Sequence, residues 1–104
     1  HTFRPALGRV LLAGDAAGFL MPVSGEGIGL ALQSGLMAAE AVIRSRDQGV
    51  SPDGIYLHAV EPIISGFGRL YPRFGKIMDE AKRGGDSLPG LLKEAYQAAL
   101  QWPL

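Results

Sequence analysis

An almost uncharged segment in the first half of the chain most constrains how the chain can fold. Between residues 10 and 43 the only charged side chains are Asp15, Glu26 and Glu40. Apolar side chains gain free energy when they leave water, so we expect other elements to cover such a segment. Three polar side chains, Glu40 among them, interrupt its second part, so it lacks the ~20 consecutive apolar residues that a bilayer requires. The segment therefore predicts buried core structure rather than a membrane span.

The start of this segment predicts a β-strand followed by a loop. Residues 9–14 form a short apolar run between Gly8 and Gly14, with a β-branched side chain at Val10. A run of this length suits a strand that is buried on both faces better than it suits a helix. Residues 15–25 are rich in glycine, proline and serine, which is the composition of a loop.

From about residue 26 to residue 47 the sequence predicts an α-helix. Alanine is frequent in this range, and Glu40 lies four residues before Arg44, a spacing that stabilises helices. Gly49 follows as the expected C-terminal cap. Apolar side chains recur every three or four residues, and we predict that they form the buried face: Ile28, Leu32, Leu36, Ala39 and Ile43.

The second half of the chain predicts two more helices, at about 53–82 and 87–101. Pro62 and Pro72 lie inside the first of these, where the proline ring is expected to kink or break the helix. Ser87 is the expected N-terminal cap of the second.

Together these elements predict a mainly α fold with one or two short β-strands. We divide the chain into a strand-loop-helix region, 1–50, and a C-terminal helical region, 51–104. The chain has 104 residues and begins at His1 rather than at methionine, so we expect it to be a piece of a longer protein.

The composition excludes several classes of function. Without cysteine the chain has no disulfide scaffold, no thiol catalysis and no Cys-ligated metal. Ten Lys and Arg balance ten Asp and Glu, so the totals imply no basic face for nucleic acid. His58 and Glu61 share a helix face, but no third ligand lies near them in the sequence, and we predict no metal site. Phe67, Tyr71 and Phe74 have helical spacing and no basic cluster around them, so we predict core residues rather than a platform for base stacking.

The most informative stretch for chemistry is 9–29. The predicted strand ends at Gly14 and Asp15, and ligands of open α/β sheets bind at the carboxyl ends of strands. The first N–H groups of the following helix, near Glu26, attract anions or electron-rich carbonyls. This pattern predicts a site for a ligand with hydroxyl and anionic groups. An ordinary turn followed by a helix entry explains the same residues and stays open on this pattern alone.

The same stretch carries a resemblance to a known family. Its motifs are Gly-Asp-Ala-Ala-Gly at 14–18, Pro22, and Gly-Glu-Gly-Ile at 25–28, which leads into the alanine-rich helix. Residues 9–45 resemble the second FAD-contacting motif of flavoprotein oxidoreductases of the p-hydroxybenzoate hydroxylase class. The resemblance is closest to the geranylgeranyl reductase branch, because Gly18 stands where aromatic hydroxylases typically have His.

This resemblance implies a cofactor and a set of residues that hold it. Asp15 would bind the ribityl chain of FAD, and the loop and helix start would lie against the phosphate–ribityl region and the pyrimidine side of the flavin. The implied cofactor-binding residues are Gly14, Asp15, Pro22, Gly25, Glu26, Gly27 and Ile28. No Gly-x-Gly-x-x-Gly follows a strand, so the adenosine half of an FAD site is absent from the sequence. The chain is then expected to be a fragment of an α/β FAD-binding fold that carries a half-site.

The resemblance further implies that the parent protein is a flavin-dependent reductase or dehydrogenase that reduces prenyl-lipid double bonds or transfers electrons. Region 1–50 would complete its FAD-binding domain, with the upstream dinucleotide-binding and substrate domains as partners. We assign no catalytic residue and do not expect the isolated chain to be active.

Two other functions stay open. The chain is alternatively a small, non-enzymatic helical interaction domain, or a piece of an FAD-dependent monooxygenase or halogenase relative. We expect a cytoplasmic protein that does not bind nucleic acid. Copies of the chain are expected to self-associate through exposed strand edges. If the parent acts on a prenyl lipid, the aromatic and basic stretch 67–83 is a candidate contact with a membrane surface.

Overall fold

The computed structural model describes residues 2–21, 26–84, 86 and 88–100. In chain order, the described residues form two short strands, a 3₁₀ helix and three α-helices. These are β1 (Ala6–Leu7), β2 (Val10–Leu11), the 3₁₀ helix (Gly14–Ala17), α1 (Ile28–Gln48), α2 (Pro52–Arg83) and α3 (Leu88–Leu100). The predicted fold class, mainly α with one or two short strands, is confirmed.

β1 and β2 form a small antiparallel hairpin in which Leu7 pairs with Val10. The strand predicted over 9–14 is therefore shorter than expected, because Gly14 adopts a left-handed conformation (φ +58°) and begins the 3₁₀ helix. The expected burial on both faces is wrong for Val10, which is 58% exposed. The hairpin has two strands of two residues each, and no further strand among the described residues covers its outer side.

α1 begins two residues later than predicted and ends where the sequence indicated. The Glu26 side chain accepts the backbone N–H of Gly29 at 2.9 Å, so Glu26 lies outside the helix and caps its first turn. At the other end, Gly49 takes a left-handed conformation (φ +67°) and donates its N–H to the Ser45 carbonyl, as a C-terminal glycine cap does.

Our prediction of which face of α1 is buried is wrong. Leu30, Ser34 and Ala41 are buried, whereas the predicted residues lie mostly on the exposed side of the helix. We call four of them the outer stripe: Ile28 (77% exposed), Leu32 (67%), Leu36 (70%) and Ile43 (56%). Ala39, the fifth, is exposed as well. The spacing of apolar residues cannot select a face when the helix is apolar almost all the way round.

α2 is a single helix that runs through both internal prolines. We predicted that Pro62 and Pro72 would kink or break the helix, and no break occurs at either proline. Pro52 occupies the first turn, where the missing N–H costs nothing. Six large side chains of α2 are buried among the described residues: Tyr56, Val60, Ile63, Phe67, Leu70 and Ile77.

α3 packs against the C-terminal part of α2. Gly84 (φ +66°) caps α2 and allows the chain to reverse. The predicted cap at Ser87 and the predicted helix end at residue 101 lie outside the described residues. None of the described helices has the length and apolar character needed to cross a membrane.

One hydrophobic core joins the two predicted regions of the chain. Phe19 and Leu30 from the first region pack with Tyr56, Val60 and Phe67 of α2. The Phe67 ring stacks on Phe3 with ring centroids 5.3 Å apart and lies nearly parallel to Phe19 at 6.4 Å. Phe67 is fully buried, which confirms its predicted core role. This core holds the loop between β2 and α1 against α2.

Candidate functional site

The Gly14–Ala17 turn is the centre of the candidate site, and it requires glycine at its first position. Gly14 is buried and left-handed, and a Cβ atom there would lie 2.9 Å from Ala31 Cβ. Such a contact is closer than side chains pack, and the left-handed conformation is itself costly for any residue with a Cβ. The 3₁₀ helix therefore lies directly on α1, and Asp15 follows at an exposed position.

Asp15 lies beside the start of α1. A Cβ atom at Gly27 would be only 2.9 Å from Asp15 Oδ1 and 3.2 Å from Leu20 Cδ1. The absence of a side chain at Gly27 thus makes room for the carboxylate next to the first turn of the helix. Two parts of the motif that lie twelve residues apart in sequence, Asp15 and Gly27, are brought together in space.

An open groove runs between the turn and the helix start, with a volume of about 550 Å³. Four of the predicted cofactor-binding residues line it: Gly14, Asp15, Gly27 and Ile28. The other lining residues, which the sequence did not indicate, are Ala13, Ala16, Leu20 and Ala31. Pro22 and Gly25, also predicted to contact the cofactor, lie outside the described residues.

Glu26 has a structural contact that the sequence did not indicate. Its carboxylate accepts the Gly29 N–H, and its backbone carbonyl accepts the Met21 N–H at 3.0 Å. Glu26 thereby closes the loop that precedes α1 and takes one of the helix N–H groups that have no acceptor within the helix. Its role as a ligand contact stays a prediction.

Two tyrosines of α2 hold the backbone on either side of the turn. The Tyr56 hydroxyl donates to the Leu12 carbonyl at 2.5 Å, and the Tyr71 hydroxyl donates to the Leu20 carbonyl at 3.1 Å. Between them, Ser34 of α1 accepts the buried N–H of Gly14 at 2.9 Å. Sequence reasoning missed these contacts, because it treated Tyr71 as core and Ser34 as one of several polar interruptions of α1.

Burial raises the pKa of Tyr56, and a side-chain hydrogen bond with Ser34 offsets part of the rise. Burial also raises the pKa of Tyr71. Both phenols are therefore neutral near neutral pH and keep the hydrogen that each one donates to a loop carbonyl.

Apart from the groove, we examined His58 and Glu61 as a candidate metal site in the described part of the chain. His58 and Glu61 are both exposed on α2. Across the described residues, no three His, Asp or Glu side chains come close enough together to hold a metal ion.

The groove has a defined chemical character. Asp15 supplies a hydrogen-bond acceptor for hydroxyl donors, and the N-terminus of α1 carries the positive end of the helix dipole. Leu20, Ile28 and the alanines give apolar walls, and the volume lies within the range of small-molecule sites. The site is of the class that suits a ligand with hydroxyl groups, an anionic or electron-rich part and a flat apolar part.

Comparisons with known proteins point to one family over part of the chain. The chain is similar to the geranylgeranyl diphosphate reductase, chloroplastic, of Oryza sativa subsp. japonica, with 39% identity over 72 residues, or 69% of the chain. It is also similar to the proteins of the same name from Nicotiana tabacum and Arabidopsis thaliana, each 51% identical over 41 residues, or 39% of the chain. The chain covers 15% of the rice protein and 9% of each of the other two.

No family model matches the chain, and no solved structure matches it. The partial matches support a link to geranylgeranyl diphosphate reductases that is confined to the matched stretches.

Proposed function

We propose that this chain supplies the ribityl- and flavin-contacting part of an FAD site in a flavin-dependent oxidoreductase. One observation carries the proposal: the Asp15 carboxylate lies beside Gly27 at the start of α1, and both line the same groove. A ribityl chain offers vicinal hydroxyl donors, and a carboxylate is their natural acceptor. The absence of a side chain at Gly27 leaves room for this carboxylate beside the first turn of α1.

The residues present fit one side of FAD. Asp15 would accept hydrogen bonds from the ribityl hydroxyls, the N-terminus of α1 would face the electron-rich pyrimidine edge or a phosphate, and Leu20 and Ile28 would exclude water beside the ring. When bound, the flavin would supply hydride or electron transfer, and this chain would hold and orient it. The groove contains no His, Lys or Tyr among its lining residues, and we assign it no general acid or base.

We propose further that the parent is a reductase of the geranylgeranyl type, acting on double bonds of a prenyl lipid, or a related electron-transferring dehydrogenase. The similarity to the three plant reductases supports this choice over a monooxygenase or halogenase. Gly18 supports it too, since aromatic hydroxylases of this class typically have His at this position.

The partners proposed for this chain are the remaining domains of a longer protein, and the outer stripe of α1 supports this. Its four large aliphatic side chains are between 56% and 77% exposed, and Ile28 also lines the groove. A domain that docks on the stripe would therefore border the ligand site. A helical interaction domain without enzymatic activity would use the same stripe, but it would have no need of the carboxylate beside Gly27.

The experiment that tests the proposal is a titration of the chain with FAD, monitored through the NMR chemical shifts of the backbone amides. This measurement detects the weak binding expected of a half-site. We expect shifts concentrated at Gly14, Asp15, Gly27 and Ile28. Asp15→Ala should weaken binding roughly 10- to 100-fold, the effect of losing a charge-assisted hydrogen bond. The proposal fails if these four amides do not respond to millimolar FAD.

A glycine pair provides the matched control. Gly27→Ala places a methyl group where Asp15 Oδ1 and the Leu20 side chain lie, so the carboxylate must move and binding should weaken. Gly35→Ala makes the same change inside α1, at a position where nothing lies within 4 Å of the added methyl group, and should leave FAD binding unchanged. Equal binding by the two variants would contradict the role given to the Asp15–Gly27 contact.

A further inference from the structure

A buried polar relay connects the two long helices to the turn that carries Asp15. Gly14 donates its N–H to Ser34 Oγ at 2.9 Å across 20 residues of sequence. The Tyr56 hydroxyl donates to the Leu12 carbonyl at 2.5 Å across 44 residues. The Ser34 hydroxyl also lowers the pKa of Tyr56, so the two side chains are neighbours. The backbone on both sides of Ala13 is thus fixed by side chains from α1 and α2.

The direction of each hydrogen bond follows from the number of donors. Tyr56 has one hydroxyl hydrogen, which it donates to the Leu12 carbonyl. The Ser34 hydroxyl donates its own hydrogen to the Ala31 carbonyl one turn earlier in α1, at 3.4 Å. Ser34 therefore accepts from Gly14 and donates within α1, while Tyr56 donates to Leu12, so each of the two hydroxyl hydrogens has one acceptor.

Packing alone does not explain the polar atoms of this relay. Ser34 and Tyr56 are both fully buried, and a buried hydroxyl is costly unless it is hydrogen-bonded. Alanine and phenylalanine would fill nearly the same volumes without that requirement. A satisfied network in a core specifies one geometry, and here its end points are backbone atoms of the residues that lead into Asp15.

We propose that Ser34 and Tyr56 are positioning residues that set the place of the Asp15 carboxylate in the ligand groove, through the Leu12 carbonyl and the Gly14 N–H. In its reference to the ligand, this inference rests on the function proposed above. It makes α2, in the region 51–104, a part of the site, although none of its residues lines the groove.

The test compares Tyr56→Phe with Tyr71→Phe by amide hydrogen exchange on the full chain. Both substitutions remove one hydroxyl from α2 that donates to a loop carbonyl, but only Tyr56 contacts the relay. We expect exchange at Gly14 to become about tenfold faster in Tyr56→Phe and in Ser34→Ala, the effect of one lost buried hydrogen bond. In Tyr71→Phe this rate should stay as in the unchanged chain.

The amide of Val60 distinguishes positioning from a general loss of stability. Val60 is fully buried in α2, and its exchange reports unfolding of the whole core. Acceleration at Gly14 that exceeds the acceleration at Val60 supports the relay. Equal acceleration at the two amides, or no change at Gly14 in either relay variant, overturns it.

A titration with FAD separates this inference from the proposed function. If the unchanged chain binds FAD and both relay variants bind it more weakly than Tyr71→Phe does, the relay positions the ligand site. A second outcome is that neither the unchanged chain nor any variant responds to FAD, while exchange at Gly14 is still accelerated selectively in the relay variants. In that case the relay holds the turn, and the assignment to FAD fails. If FAD binds all variants equally, the relay does not set the ligand site, and the inference is overturned.

Discussion

Gly14→Ala should destabilise the chain more than the same change at Gly8, Gly49 or Gly84, three left-handed glycines where a Cβ atom would meet nothing within 4 Å. A left-handed conformation costs a residue with a Cβ roughly 1–2 kcal/mol. The added methyl group would also lie 2.9 Å from Ala31 Cβ and 3.3 Å from Ala31 Cα, and the second of these belongs to the backbone of a packed helix. Overpacking of this kind costs typically ~1–3 kcal/mol. The sum is roughly 2–5 kcal/mol, which is large for a domain whose total stability is on the order of 5–15 kcal/mol.

Gly8→Ala is the matched control, because at Gly8 the cost of the left-handed conformation occurs without the cost of overpacking. Gly8 has the same backbone conformation (φ +59°, against +58° at Gly14) but no atom within 4 Å of a Cβ. Its substitution should therefore carry the conformational cost alone. Urea unfolding followed by circular dichroism measures both variants, and a midpoint shift at unchanged slope gives the free energy directly. We expect Gly14→Ala to be less stable than Gly8→Ala by ~1–3 kcal/mol, the overpacking part of the cost.

The contact between the added methyl group and Ala31 can be tested by removing the Cβ atom of Ala31. In the double variant Gly14→Ala with Ala31→Gly, the Cβ–Cβ contact disappears, while the contact with the Ala31 backbone remains. The double variant should be more stable than the sum of the two single changes predicts, a coupling of about 1 kcal/mol for residues in direct contact. If Gly14→Ala is no less stable than Gly8→Ala, the turn is not packed on α1 as described and the reasoning is refuted.

Two further predictions concern the phenol in the relay and the outer stripe. Because burial raises the pKa of Tyr56, the unfolded chain ionises this phenol at a lower pH than the folded chain does. Its contribution to stability is therefore complete below the ordinary tyrosine pKa of about 10 and is lost as the pH rises through the folded-state value. Urea unfolding at about pH 8 and pH 11 should show a smaller loss of stability in Tyr56→Phe, and an equal loss would contradict the assignment. On α1, Leu32 (67% exposed) and Leu36 (70% exposed) should make copies of the chain associate, and Leu32→Glu with Leu36→Glu should restore the monomer in sedimentation. A strictly monomeric unchanged chain at high concentration would exclude this use of the stripe.

The parts of the fold that the sequence predicted correctly are those with local causes. Gly49 ends α1 because a glycine can take the left-handed conformation that a helix cap needs, and Pro52 starts α2 because its fixed φ suits a first turn. In each case the chemistry of a few neighbouring residues is sufficient.

The parts that could not be predicted depend on which distant element packs where. Ile28, Leu32 and Leu36 recur at helical spacing, but so do the buried Leu30, Ser34 and Ala41, and only the position of α2 and of the Gly14 turn decides between the two faces. Ser34 and Tyr56 are far apart in sequence, so nothing local indicates that they share a relay. The length of β2 was overestimated for a similar reason, since the Gly14 N–H is taken by Ser34 rather than by a strand partner.

The burial expected for residues 10–43 and the exposure of the outer stripe have one physical explanation. α1 is apolar on both sides: one side packs on α2 and the turn, and the other carries Ile28, Leu32, Leu36 and Ile43 to the surface. A helix of this kind is stable in water when a second layer covers it. The curated relatives are several times longer than this chain, which covers 15% of the rice protein, so a longer chain of that kind has the residues to form such a layer. Since Ile28 belongs to both the stripe and the groove, the layer that buries α1 would also close the ligand site. Burial of the stripe and completion of the cofactor site are then expected to occur together, and substitutions at Leu32 or Leu36 in such a longer protein should weaken FAD binding without touching the groove.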